Sequence, residues 1–196
     1  MDLAKLSDYE LVEKFIKGSQ SSIETLISRH KNRVYTYIFL IVKNQQLAED
    51  IFQDTFIKVI QSLSKGKYTD NGKFLSWVIR IAHNLIIDHF RREKQFNVTI
   101  REDYETDVFN SRKLAYGNIE DDLVYNQIIS DVRVLIDELP ADQREVVLLR
   151  HYGGLSFKEI AEQTNVSINT ALGRMRYALI NLRKLIGEKK LSLTVT

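Results

Sequence analysis

Asn169, Leu172, Gly173 and Arg176 recur at spacings of three and four, which on an α-helix brings them to one face. An arginine there suits the paired acceptors of guanine, and a leucine suits the methyl of thymine. Thr170, Arg174, Arg183 and Lys184 lie beside this face. Their types suit phosphates, which fix register without reading sequence. A third set, Ala171, Met175, Ala178 and Leu182, follows the same spacing and should pack inward. Residues 165–190 carry six basic residues and one acidic residue, so the stretch suits a polyanion.

Such side chains need a rigid mount, and residues 156–187 read as one. Ser156-Phe157-Lys158-Glu159 has the pattern of a capping box, a serine whose side chain caps the first turn while the glutamate reaches back. It opens a short helix containing Ile160 and the small Ala161. Thr164-Asn165-Val166-Ser167 follows, with Asn165 at the sharp turn, where asparagine tolerates the left-handed conformation. A longer helix begins at about Ser167 or Ile168. Short helix, tight turn and longer helix is the helix-turn-helix layout. The competing reading is a helical hairpin with a solvated basic face; the turn chemistry and the division into faces favour the first.

Two further groups lie earlier in the chain. Lys65, Lys67, Tyr68 and Lys73 surround the polar loop 64–72. Cations beside an aromatic suit a splayed single strand, and a plain surface loop is the alternative. Arg80, Asn84, Asp88, Arg91 and Arg92 fall along one side of the next helix. The arginines and Asn84 suit phosphate or base contact, and Asp88 suits the orientation of a neighbouring arginine or a structural packing role. Phe74 and Trp77, on the apolar side, read as core. Asp50, Gln53 and Asp54 lie on the polar side of a helix over 46–63, where they suit a basic protein surface or simply water. Phe56 fits either the core or that interface.

The remaining pattern is helical. Ser7-Asp8-Tyr9-Glu10 is another capping box, opening a helix to about Lys17. Amphipathic spacing predicts helices over 20–43, 46–63, about 73–94 and about 119–138, and one from Pro140 to Tyr152 ended by Gly153-Gly154. Residues 95–118 lose periodicity and read as an acidic linker. Net charge is +4 over 1–94, −6 over 95–139 and +4 over 140–196, the pattern of two modules facing a polyanion across a segment that does not. With one proline, eight glycines and no cysteine, the composition favours helices and excludes disulfides and thiolate metal sites. The N-terminus lacks the apolar run of a signal peptide, and Tyr37–Val42, the longest apolar stretch, is too short to span a bilayer. His30, His83, His89 and His151 are scattered, and no phosphate loop or nucleophile motif occurs, so an enzyme is not expected.

Three longer stretches carry a family resemblance. Residues 139–150, LPADQREVVLLR, with the helix pair that follows, resemble the promoter-binding C-terminal domain of bacterial sigma factors. Residues 74–92, FLSWVIRIAHNLIIDHFRR, resemble the signature helix of their other conserved domain. Residues 48–59, AEDIFQDTFIKV, resemble the segment that docks on RNA polymerase. The short chain is similar to the extracytoplasmic-function group of that family. The resemblance implies a factor that binds core RNA polymerase, directs it to promoters and helps melt them. Asn169, Thr170, Leu172, Gly173, Arg174, Arg176, Arg183 and Lys184 would then meet the minus-thirty-five element. Lys65, Lys67, Tyr68, Lys73, Arg80, Asn84, Arg91 and Arg92 would meet the minus-ten element, and Asp50, Gln53, Asp54 and Phe56 would meet polymerase. Family members usually carry a lysine or arginine and a serine where Leu172 and Gly173 stand. Fewer base-edge hydrogen bonds are therefore expected here, with more weight on DNA shape.

The expectation is an all-α chain of two helical domains, 1–94 and 119–196, joined by a linker at 95–118. It needs no cofactor or metal and acts in the cytoplasm on polymerase and promoter DNA. An anti-sigma factor is a further partner the group implies, and no small-molecule substrate is expected. The alternative is a helix-turn-helix regulator that works without polymerase. A helical interaction protein with an incidental basic helix is a more distant one.

Overall fold

Every regular element among the described residues is helical, and each starts or stops where local chemistry dictates. The computed structural model describes residues 3–69, 72–98 and 134–189. A 3-10 turn at Leu3–Lys5 precedes α1 (Asp8–Ile16), α2 (Gln20–Val42), α3 (Gln45–Ser64) and α4 (Phe74–Val98). After the undescribed stretch, residues 134–137 are helical, followed by α5 (Ala141–His151), α6 (Phe157–Gln163) and α7 (Ile168–Lys189). The chain divides into two compact units, one holding α1–α4 and the other α5–α7.

The capping box at Ser7 forms in both directions, with Ser7 Oγ accepting from the Glu10 amide and the Glu10 carboxylate accepting from the Ser7 amide at 2.8 Å. These bonds satisfy donors that a helix start leaves without partners. They also pull the Glu10 carboxyl below its usual range, the Ser7 backbone bond contributing most. Lys43 turns left-handed at φ 51°, and the Asn44 side chain then caps α3 by accepting from the Leu47 amide. The helix expected to end near Lys94 continues to Val98, since no glycine or proline stops it at 95–98. The rest of the expected linker, and residues 119–133 of the helix expected after it, lie outside the described residues.

In the first unit, α1, α3 and α4 all pack on α2, and α4 also packs on α3. Leu26, Val34, Ile38, Val59, Val78, Ile79 and Ile86 are fully or almost fully buried between them. Tyr37 and His83 bring a polar contact into this core. Tyr37 and His83 are 0% and 2% exposed, and the Tyr37 hydroxyl is hydrogen-bonded to His83 Nδ1 at 2.8 Å, linking α2 to α4. Burial pushes the His83 pKa down to about 4, so the imidazole is neutral near pH 7. At the edge of the unit, Asp8 accepts from Arg29 at 2.6 Å and from His30 at 2.8 Å. Arg29 also donates to the carbonyls of Ala4 and Leu6, binding the N-terminal turn to α2. Partial burial opposes ionisation of Asp8, but its bonds and charge contacts with His30 and Arg29 outweigh this and lower its pKa.

In the second unit, α5 and α6 both pack on α7, around Leu135, Leu139, Val146, Leu148, Leu149, Leu155, Ile160, Ala171 and Ala178. The Arg144 side chain is buried and donates back to the Leu139 carbonyl at 3.0 Å, closing the turn through Pro140. Arg150 donates to the Leu155 carbonyl at 2.7 Å and lies 5.3 Å over the Phe157 ring. It thereby holds the entry to α6. No helix among the described residues is long and apolar enough to cross a membrane, and none of them forms a group of three or more side chains able to hold a metal ion.

Candidate nucleic-acid interface

The helix pair α6–α7 is built by short-range chemistry. Ser156 caps α6 through the second capping box, with the Glu159 carboxylate accepting from the Ser156 amide at 2.8 Å. Asn165 takes φ 54° at the turn, where a β-branched residue would be strained. The Val166 amide then bonds the Ala161 carbonyl at 3.0 Å, and Ser167 Oγ accepts from the Thr170 amide at 3.0 Å to cap α7. Ala161, almost fully buried, is small enough for close approach of the two helices.

On α7, Ala171 and Ala178 are fully buried, while Met175 and Leu182 are half-buried. Asn169, Thr170, Leu172, Arg176, Arg183 and Lys184 are exposed, and Gly173 is half-buried. Leu172 is 43% exposed, so an apolar group stands on the outward face beside Arg176. Lys184 makes a solvated contact with Glu188 at 3.7 Å. Arg174 lies two residues from Arg176, which on a helix turns it away from that face, and its Nε is 3.1 Å from Asp142 Oδ2.

A Cβ added at Gly173 would meet nothing within 4 Å. Gly173→Ala is expected to stabilise this unit by roughly 0.5–1 kcal/mol, because glycine loses more freedom in a helix than alanine. Thermal unfolding followed by circular dichroism checks it; a lower melting temperature would show a crowded position.

In the first unit, Lys65, Lys67 and Lys73 are exposed around a half-buried Tyr68. The Tyr68 ring centroid lies 4.5 Å from Trp77 and 5.9 Å from Phe74. Phe74 is buried, and it also meets Trp77 at 5.8 Å and His30 at 5.6 Å. Tyr68 is thus one side of an aromatic cluster seated on the core, with cations around it. Asn84, Arg91 and Arg92 are exposed along α4, and Arg80 is half-buried. Asp88 lies 3.5 Å from Arg91, the orienting contact its spacing suggests.

On α3, Asp50, Gln53 and Asp54 are exposed, and so is Ile57. Phe56 is buried at 5% and sits edge-on to Phe52, with ring centroids 4.9 Å apart. Of the two roles open to it, it takes the core one, so it is withdrawn from the outward face. Its spacing with Val59 and Leu63 carries it inward. Sequence reading missed the Tyr37–His83 pair, Arg144 and the Asp142–Arg174 contact. Arg144 alone had a local signal, a charged residue within a leucine- and valine-rich run.

Comparison with known proteins converges on one family. The description Sigma-70 region 2 matches residues 26–96, and Sigma-70, region 4 matches residues 129–177. RNA polymerase sigma factor CarQ of Myxococcus xanthus is 32% identical over 181 residues, covering 92% of this chain and 98% of CarQ. ECF RNA polymerase sigma factor SigW of Bacillus subtilis (strain 168) is 29% identical over 176 residues, covering 88% of this chain and 93% of SigW. In fold, the chain is similar to the sigma factor RpoE in its complex with the anti-sigma factor NepR from Bartonella quintana, with a TM-score of 0.58, 21% identity and coverage of 84% of this chain and 96% of that one. The outward faces of α3, α4 and α7 therefore belong to a member of the RNA polymerase sigma factor family, of the extracytoplasmic-function type.

Proposed function

We propose that this sigma factor meets promoter DNA through two separate faces and core polymerase through a third. Membership of the family carries the general activity: the chain binds core RNA polymerase and directs it to specific promoters. The finer assignment rests above all on the joint exposure of Asn169, Leu172 and Arg176 along one side of α7, behind a capped turn. That face reads the minus-thirty-five element, with Gly173 leaving room at the base edges and Thr170, Arg183 and Lys184 on phosphates. Residues 119–196 form this domain and residues 1–94 the other, with 95–118 between them. In the first domain, Lys65, Lys67, Tyr68 and Lys73 take the unpaired strand of the minus-ten element, and Arg80, Asn84, Arg91 and Arg92 hold its backbone. Asp50, Gln53 and Asp54 face polymerase. The chain is not an enzyme and acts in the cytoplasm, where core polymerase works. An anti-sigma factor is a candidate partner by analogy with RpoE, which was solved with NepR.

Transcription by the reconstituted holoenzyme on promoters differing only in the minus-thirty-five element tests this. Arg176→Ala is expected to lose about 1–3 kcal/mol of discrimination at one or two base positions. Lys184→Ala should weaken all promoters alike and flatten the salt dependence. Equal loss on every promoter for Arg176→Ala would remove its reading role.

A further inference from the structure

Three polar ties run from one side of α7 to residues 138–143. Arg174 Nε meets Asp142 Oδ2 at 3.1 Å, Asn181 Nδ2 donates to Gln143 Oε1 at 2.9 Å, and Lys189 Nζ donates to the Glu138 carboxylate. Positions 174 and 181 lie two turns apart and within about 20° of one another, and 189 stands about 80° further round, so the ties span ~22 Å of α7 at 1.5 Å per residue. Ala171 and Ala178 are the buried residues of α7, with Met175 and Leu182 half-buried on the same side. Arg174 and Asn181 lie on the flank of that seam, where their ties resist rotation of the helix about its own axis.

We infer that these ties set the angle at which α7 presents Asn169, Leu172 and Arg176 to DNA, which makes Asp142 and Gln143 positioning residues and Arg174 a strut. This rests on the promoter-binding reading above and deepens it. Arg174 and Arg176 point about 200° apart at 100° per residue, so one arginine cannot share the other's groove. The Arg174 side chain is 24% exposed, and its Nε is held against Asp142 Oδ2. Asp142 is itself unfavourable beside a phosphate, and its place against Arg174 is accounted for by the strut. Base-edge hydrogen bonds are directional, so a small rotation of α7 weakens reading at Arg176 while leaving the phosphate contacts in reach.

The test uses holoenzyme reconstituted with bacterial core RNA polymerase. Its probe is a pool of double-stranded promoter DNA randomised across the minus-thirty-five block. Binding is measured to the sequence the unaltered chain enriches, to single-base changes of it, and as a function of salt. Asp142→Asn and Arg174→Gln should each lower the ratio between enriched and changed sequences by about two- to fivefold, the size of an ion pair at a protein surface. The two together should lower it no further than one alone, and the salt slope should stay the same. Asn181→Ala, which breaks a neutral tie elsewhere along α7, should lower the ratio in the same way and guards against a local folding defect at Asp142. The proposal is overturned if Arg174→Gln makes the salt slope shallower by about 0.9, one phosphate contact, while Asp142→Asn tightens binding. Unchanged ratios in all three variants overturn it as well. A holoenzyme of the unaltered chain that enriches no sequence contradicts the promoter-binding reading itself, which tells the two failures apart.

Discussion

Phe74→Ala should destabilise the α1–α4 unit by about 3–5 kcal/mol, the loss found when a buried phenylalanine is cut back and its cavity does not close. Phe74 is 1% exposed and touches three rings at once, those of Tyr68, Trp77 and His30. Its removal takes away the floor on which Tyr68 and Trp77 rest, and with it the mount for Lys65, Lys67 and Lys73. Trp77 is the only tryptophan in the chain, so its fluorescence during urea denaturation reads this unit alone. Phe74→Leu, which keeps most of the volume, should recover most of the stability. A loss below about 1 kcal/mol for Phe74→Ala would mean that the cluster carries little of the core's stability.

A second large effect concerns acid. His83 is buried with its pKa pushed down to about 4, against 6.5 for the free side chain. Between those values the unfolded chain binds a proton that the folded chain does not, so stability falls as pH falls through that window. The full difference amounts to about 3 kcal/mol at 1.36 kcal/mol per unit, gained above pH 6.5 and gone near pH 4. Asp8 acts in the same direction in a lower window: its folded pKa lies below 3.8, so its contribution is lost as pH drops below that. Thermal unfolding followed at Trp77 from pH 7.5 to pH 4 separates the two. His83→Gln keeps a hydrogen-bonding group near Tyr37 but cannot titrate. It should be less stable at neutral pH and show a much flatter decline between pH 6.5 and pH 4. An unaltered slope in that variant would assign the acid sensitivity to the carboxylates.

How much of this was legible in the sequence depends on the range of the contact. The two capping boxes at Ser7 and Ser156 span three residues, so residue types alone reveal them. Asn165 was readable for the same reason, because a left-handed turn admits few side chains. The Tyr37–His83 bond joins residues 46 positions apart, and no periodicity shows which helix faces meet. The same holds for Asp142 and Arg174. The type of Arg174 suits a phosphate, and only the packing of α7 on α5 shows that Asp142 lies beside it. Phe56 was ambiguous because Phe52, Phe56 and Ile60 fall on adjoining sides of α3, and a wide apolar stripe does not mark its own edge. The outward face of α7 was legible because it is what remains once the small buried residues are placed.

The most direct test of the whole account is transcription from a promoter library by bacterial core RNA polymerase with and without this chain. Core alone should initiate without sequence preference, and adding the chain should produce defined starts downstream of shared minus-thirty-five and minus-ten sequences. Failure to bind core, together with binding of a palindromic operator as a dimer, would contradict it.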